Sequence, residues 1–400
     1  MPPRSSKRSA AQAAAAQADV EKKSKIAAGW QDVGEAVVYK GKALAPLLVY
    51  HTPNCREDAK KIYAFDMDWT VLKPKSGRKF PTGATDWEFI LPEVPKKLKQ
   101  LHTDGHRIVL FTNQGGMEKG NTTPLEIKTK ITTGNNHFRK PSVFLWRHFA
   151  EQCCAAPPSP EQCVFVGDAA GRAKNWRAGA PKDFNASDRM FAENIGIPFQ
   201  TPEEFFLGQA PVSSFDYGAF DPKPLRAQLA APPPTIDPSK TQEMIVMVGC
   251  PASGKSTLSK HKFEKEHGYT RINRDEMGTA SKCSKAAAAA LAAGQSVVID
   301  NTNGSPAARS EWIKLAQKHK VPCRCILMET PRDLAEHMNL FRQNTTQGRQ
   351  RRVPAVGYNV FFKNYQEPTS AEGFASVLTY PFVPQFASDE ERDMFFHWTC

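Results

Sequence analysis

Two aspartates, Asp66 and Asp68, stand one residue apart in KIYAFDMDWTVL, where a short apolar run ends. Carboxylates this close repel one another and are costly to bury unpaired, so something must join them. Two more apolar runs end in polar residues: HRIVLFTN in Thr112 and Asn113, and QCVFVGD in Asp168. With Lys140 of RKP, these are the parts of a carboxylate phosphotransfer site. One aspartate attacks phosphorus and becomes an acyl phosphate. The other acts as acid toward the leaving oxygen and then as base for water. Alternate strand positions share a face, which would let Asp66 and Asp68 converge on one centre. A Mg²⁺ ion held by Asp66, Asp68 and Asp168 would offset their repulsion and neutralise the phosphate. Thr112 and Lys140 would hold the remaining phosphate oxygens.

A second constellation lies at GCPASGKST, residues 249–257, directly after the apolar run MIVMV. It fits G-x-x-x-x-G-K-[ST] in the context that motif requires, a strand before it and a helix after. Backbone N–H groups around Gly249, Ser253, Gly254 and Thr257 would cradle phosphates. Lys255 would reach the β- and γ-phosphates of ATP, and Ser256 would hold Mg²⁺. Beyond it, Asp275 in INRDEMG either takes the proton of an acceptor hydroxyl or caps a helix. Asp300, Asn301 and Asn303 end VVIDNTN and would orient metal-bound water or the acceptor. Arg342, Arg349, Arg351 and Arg352 follow in one basic stretch. Arg342 is assigned to a mobile lid, where an arginine stabilises charge on the transferred phosphoryl group.

Both constellations need strands that feed loops. KIYAFD, HRIVLFTN and QCVFVGD read as buried strands, and LPEVPKKLKQLHTDG as a helix stopping at Gly105. EMIVMVG, SVVIDNTN and PCRCILME repeat the pattern further on. Strands alternating with helices imply parallel sheets whose ligands gather at the strands' carboxyl ends. The expected fold class is therefore α/β, two doubly wound domains with mainly parallel sheets. Residues 1–34 read as a disordered basic tail too poor in apolar surface to fold. The first domain spans 35–208, and 209–240, with its seven prolines, reads as a linker. The second domain fills 241–400.

Composition narrows the class. The chain has 53 Lys and Arg against 41 Asp and Glu, a net charge of +12, which points to polyanionic partners and to nucleic acid first. No run approaches the roughly 18 apolar residues of a membrane span, so no membrane partner is expected. Nine cysteines without CxxC pairs indicate neither zinc nor a disulfide framework. The basic clusters near the start fit a nuclear address, with a mitochondrial presequence as the alternative.

The order DxD, LFTNQ, RKP, FVGDAAGR resembles the haloacid dehalogenase superfamily of phosphatases. More narrowly, DWEFILPEVPKKLKQL, FVGDAAGRAKNW, KDFNASDRMFA and TPEEFFLG look like the phosphatase half of the polynucleotide kinase 3′-phosphatase family. CPASGKST, INRDEMG, VVIDNTN and FFKNYQEPTSAEGF look like its 5′-kinase half. The resemblance implies that Asp66 is the nucleophile, Asp68 the acid/base and Asp168 a metal ligand. It also implies that Asp275 is the base for the 5′-hydroxyl, and that Lys255 and Ser256 hold ATP and Mg²⁺. Two departures stand out. Trp69 occupies the position of the family's usual glycine, where it would narrow the site's mouth, stack on a base or pack on a neighbouring loop. The stretch from Gly120 to Lys140 is short for the helix and strand usual there.

The implied activity is repair of DNA ends, removing 3′-phosphate and phosphorylating 5′-hydroxyl termini with ATP. The alternatives are a kinase with an inactive phosphatase half, or a non-catalytic DNA-end-binding scaffold. A monomer is expected. Repair scaffold proteins are possible partners, although not through a forkhead-associated domain, for which the first residues leave no room. Trp69, Trp87 and Trp176 are candidates for stacking on terminal bases.

Overall fold

The computed structural model describes residues 29–399, apart from 34–36, 40–41, 45–46, 53–55, 84, 114–136, 229–233, 348 and 351. The chain divides into two compact units, Met1–Ala219 with Trp398–Cys400, and Phe220–His397.

The first unit opens with an antiparallel pair, β1 (Gly29–Val33) against β2 (Leu47–His51). This corrects the expected tail at residues 29–33. Trp30 packs on Tyr50 with ring centroids 5.0 Å apart, and Val33 joins a core cluster, so the segment buries enough to stay ordered. Residues 1–28 lie outside the described residues. The main sheet runs β3 (Ile62–Phe65), β4 (Arg107–Leu110), β5 (Cys163–Val166) and β6 (Phe199–Gln200), all parallel, in the order β6-β5-β3-β4. Alternate side chains serve opposite faces: Ile62, Ala64 and Phe165 enter one core, Phe65 and Val166 the other. Between β3 and β4 the expected helix forms as α1 (Glu93–Thr103), with Val94 and Leu101 buried, and the chain turns at Gly105 with φ 86°. Helices α2 (Phe144–Gln152) and α3 (Ser187–Ile195) cover the first face. Helix α4 (Pro202–Leu207) starts in a capping box between Thr201 and Glu204 and ends at Gly208.

The second unit holds a five-stranded parallel sheet: β7 (Met244–Val248), β8 (Thr270–Ile272), β9 (Val297–Ile299), β10 (Cys323–Glu329) and β11 (Ser376–Pro381), in the order β8-β9-β7-β10-β11. All five residues of β7 are fully buried, as a central strand covered on both faces must be. Met244, Val246 and Val248 meet one core; Ile245 and Met247 meet the other. Helix α5 (Lys255–Leu258) leaves the β7 loop and continues as a π-helical stretch over Ser259–Lys265. Helices α6 (Arg274–Met277), α7 (Ala280–Ala292), α8 (Pro306–Lys318), α9 (Arg332–Thr345), α10 (Ala355–Asn364) and α11 (Asp389–Phe395) also belong to the unit.

The proline-rich stretch 209–240 is not a free linker throughout. Its aromatic residues make contacts instead. Phe215 bridges Arg172, Asp216 N–H donates to the Gly171 carbonyl at 2.8 Å, and Tyr217 packs on Trp398, all within the first unit. Phe220 packs on His337, and Ile236 is buried in a core cluster, both within the second. Among the described residues no helix is long and apolar enough to cross a membrane.

Candidate active sites

In the first unit, β3, β4 and β5 deliver Asp66, Thr112 and Asp168 past their carboxyl ends, where a parallel sheet gathers ligands. Thr112 is buried. Lys140 enters the same centre, 1% exposed, its Nζ 2.5 Å from Asp66 Oδ1 and 2.7 Å from Asp188 Oδ1. Its third bond goes to the Phe111 carbonyl at 2.8 Å, so every ammonium proton is committed. Asn113 fixes the lysine's backbone: its Oδ1 accepts Lys140 N–H at 2.9 Å and its Nδ2 donates to the Lys140 carbonyl at 3.2 Å. Asp168 is held by Thr70, whose hydroxyl donates to Oδ1 and accepts from the Asp168 N–H.

The carboxylates that come together are Asp66, Asp168 and Asp188, with ligand oxygens all within 4.8 Å of one another. Asp68, expected as a metal ligand, is exposed and stands outside that group. The alternation that would have aligned it with Asp66 ends with the strand at Phe65. Asp188 takes its place from α3. Gly167 permits that approach, because a Cβ there would lie 2.4 Å from Asp188 Oδ2. Burial is the largest cause lifting the Asp66 carboxyl, to about 7; Lys140 opposes it, while Asp188 and Asp68 add to it. Burial and then Asp66 and Asp188 likewise raise Asp168 well above the usual range. Burial works against the Lys140 ammonium, but Asp188 and Asp66 outweigh it and hold its pKa above the ordinary lysine value. Two buried carboxylates and the half-buried Asp168 around one ammonium are an unbalanced set. Hard oxygen donors at this spacing fit a divalent cation such as Mg²⁺.

In the second unit the loop from β7 to α5 closes on Lys255. Ala252 and Gly254 both take positive φ, 59° and 95°, and a Cβ at Gly249 would meet Ser253 Oγ at 2.6 Å. Lys255 is buried, with Nζ 2.6 Å from the Cys250 carbonyl and 3.2 Å from Ser253 Oγ. Burial draws its pKa down to about 8, the state of an ammonium awaiting an anion. Ser256 Oγ donates to Asp300 Oδ1 at 3.1 Å; Thr257 follows, half-buried on α5. Asp300 also accepts from Arg271 Nη2 at 2.6 Å and from Asn273 Nδ2 at 3.0 Å. Asn301 Oδ1 accepts the Arg274 N–H, and Asn303 Nδ2 donates to the Met247 carbonyl.

Asp275 sits in the first turn of α6, exposed, and the cap of that helix is Asn273, whose side chain accepts from Asp275 N–H and Glu276 N–H. The carboxylate of Asp275 is thereby free of a capping role, and its charge acts on Lys255. Arg342, expected on a mobile lid, lies on the regular helix α9. Its Nη2 donates to Asn339 Oδ1 at 3.3 Å, its Nε is buried without a hydrogen-bond partner, and its charge also acts on Lys255. Arg349 and Arg352 are exposed, and Arg351 lies outside the described residues.

Residues 61–206 match the family described as polynucleotide kinase 3 phosphatase, and residues 278–368 match an AAA domain. The bifunctional polynucleotide phosphatase/kinase of Schizosaccharomyces pombe is 39% identical over 339 residues, 81% of this chain and 80% of that protein. The chain belongs to this family. The polynucleotide 3′-phosphatase of Saccharomyces cerevisiae is 28% identical, covering 41% of this chain and 98% of its own length. The polynucleotide 3′-phosphatase ZDP of Arabidopsis thaliana is 26% identical over 42% of this chain and 27% of that protein.

Trp69, at the family's glycine position, has φ 62°, the left-handed region that glycine adopts without strain. Its indole is turned back onto the neighbouring loop, Nε1 donating to the Lys79 carbonyl at 3.2 Å, and it remains 38% exposed. Trp87 lines a small cleft with Asp68 and is 41% exposed. Trp176 is occupied locally: Arg172 stacks over it at 3.8 Å and its N–H bonds the Pro181 carbonyl. Most of the stretch between Gly120 and Lys140 lies outside the described residues. Sequence reasoning missed Asp188, Thr70 and the role of Asn113. The available signal for Asp188 was an acid set beside Met190, Phe191 and Ala192, on the buried side of a helix.

Proposed function

We propose that this chain removes 3′-phosphates from DNA ends at the Asp66 centre and phosphorylates 5′-hydroxyls with ATP at the Lys255 centre. One observation carries the reading: Asp66, Lys140, Asp168 and Asp188 converge in a chain whose second unit holds a buried P-loop lysine.

In the phosphatase reaction an Asp66 oxygen bonds to phosphorus as the bond to the 3′-oxygen breaks. Asp68, exposed beside the cleft, gives its proton to that leaving oxygen and then takes one from the water that cleaves the acyl phosphate. Lys140 keeps Asp66 oriented and balances charge as it builds. Asp66, Asp168 and Asp188 would hold a divalent cation, which would supply further neutralisation of the phosphate and favour the ionised carboxylates. In the kinase reaction Asp275 accepts the proton of the 5′-hydroxyl, whose oxygen attacks the γ-phosphorus while ADP leaves. Lys255 and Arg342 stabilise the spread of negative charge, and Ser256 with Asp300 would hold Mg²⁺. The net charge of +12 suits a substrate with a phosphate backbone.

A phosphatase half disabled by Trp69 is the other reading. The tied-back indole and the complete carboxylate–lysine set weigh against it.

Single-turnover 3′-phosphate release from a nicked duplex with Mg²⁺ tests the proposal, run beside 5′-phosphorylation on the same preparations. Wild type performs both. Asp66→Asn loses release by at least about a hundredfold and keeps phosphorylation, while Lys255→Ala does the reverse. No release by wild type, with phosphorylation intact, would leave a kinase alone.

A further inference from the structure

Lys140 carries the phosphatase site's only ammonium among the described members of that cluster, on a flexible four-carbon stem. Its usefulness depends on where its backbone is held. Asn113 grips the N–H and C=O of Lys140 itself, and the next carbonyl, that of Pro141, is gripped from the other side by Asn194 Nδ2 at 2.8 Å. Asn194 is in turn clamped by a residue distant in sequence. Its Oδ1 accepts the Trp398 N–H at 2.8 Å and its Nδ2 donates to the Trp398 carbonyl at 3.0 Å. Both amide protons and the amide oxygen are thus assigned, and the orientation that reaches Pro141 is the one Trp398 dictates.

The indole of Trp398 makes a second approach to the same site. It is 6% exposed, lies tilted against Tyr217 with ring centroids 4.2 Å apart, and packs with Ala186 and Met190. Those two residues flank Asp188 at the start of α3, and Asp188 is the carboxylate that bonds Lys140 from the other side. Main chain and side chain of one residue therefore reach the two partners of a single ion pair.

We infer that the Asn194–Trp398 pair is a positioning device for the phosphatase centre, setting Lys140 through Pro141 and Asp188 through α3. It rests on the phosphatase reading above. Neither residue touches the reacting atoms. Their effect is on the placement of groups that do, where small displacements carry large losses of rate.

The full chain is compared with Asn194→Asp, with Trp398→Phe, and with a chain stopped after His397. Each is assayed on a 3′-phosphorylated nicked duplex, on para-nitrophenyl phosphate, and for 5′-phosphorylation. Asn194→Asp keeps the acceptor for Trp398 but loses both donated bonds, with almost no change of volume. The expected result is a kcat lowered about tenfold or more on both phosphatase substrates. KM and 5′-phosphorylation stay near wild type when the assays are run well below the variant's melting transition, which falls because a carboxylate oxygen faces the Pro141 and Trp398 carbonyls. Trp398→Phe retains the main-chain bonds and an aromatic ring and keeps most of the rate. Unchanged kcat in Asn194→Asp and in the shortened chain overturns the inference. So does a loss that only matches the fraction of unfolded protein. If wild type hydrolyses para-nitrophenyl phosphate but not the DNA end, the polynucleotide reading fails while the positioning role is still measured.

Discussion

Trp69 illustrates how one backbone angle decides a residue's cost. At φ 62° a bulky L-residue gives up about 1–2 kcal/mol, partly returned by the indole bond to the Lys79 carbonyl, worth about 1 kcal/mol. Trp69→Gly removes both, and the glycine adds unfolded-chain entropy of roughly 0.5–1 kcal/mol. The substitution should therefore leave stability within about 1 kcal/mol of wild type and 3′-phosphate release within about threefold. Thermal melts and single-turnover rates check this, and a rise of tenfold or more would show that the indole obstructs the mouth. Individual residues differed in how far the sequence revealed them. Asp66, Asp168, Lys255 and Ser256 sit in motifs whose spacing is imposed by phosphate and strand geometry. Asp188, Thr70 and Asn113 act through one or two contacts each, brought together by the fold, and one acid on a helix face has no periodic signature. The expectation that Asp68 shares a face with Asp66 extended strand alternation past Phe65, where the strand ends.

Among the elements, α6 matters beyond its length. Asn273 caps it, and the same side chain donates to Asp300, the partner of Ser256. Asn273→Ala should cost about 1–2 kcal/mol and slow 5′-phosphorylation at least roughly tenfold, with 3′-phosphate release unchanged. Equal decline of both activities would assign the effect to folding. Helix α9 adds a pH dependence through His337, which is buried against Phe220 and Phe395 and bonds the Phe395 carbonyl through Nε2 at 2.8 Å. A carbonyl only accepts, so Nε2 carries the proton of the neutral ring. Burial lowers the His337 pKa to about 4, so the fold favours the neutral form. That stability is present above the unfolded value near 6.5 and is lost as pH falls toward 4, up to about 3 kcal/mol. Melts of the wild type should steepen in their decline across that window, and His337→Gln should flatten it. An identical acid arm in the variant would exclude His337 as the cause. The strands and α1 were legible from apolar runs and from Gly105. The anchoring contacts of Phe215, Tyr217 and Phe220 were not, because proline content masked the aromatic residues among them.

At the scale of the whole molecule, a charge of +12 predicts how both reactions respond to salt. Between about 50 and about 200 mM KCl, kcat/KM on DNA ends should fall by roughly an order of magnitude or more as counterion release weakens. Hydrolysis of para-nitrophenyl phosphate, which has no backbone to hold, should change little. Parallel declines on both substrates would remove backbone contact as the reason for the basic composition. The division into units has a consequence in time. Trp398 belongs with Met1–Ala219 although the whole of Phe220–His397 is translated before it. A ribosome adding about 5–20 residues per second releases nearly all of the phosphatase unit early, yet the residue that clamps Asn194 follows only after the whole of Phe220–His397. The phosphatase unit thus lacks its Asn194 clamp until the kinase has been made, and a chain stopped within the second unit should release 3′-phosphate at least about tenfold more slowly.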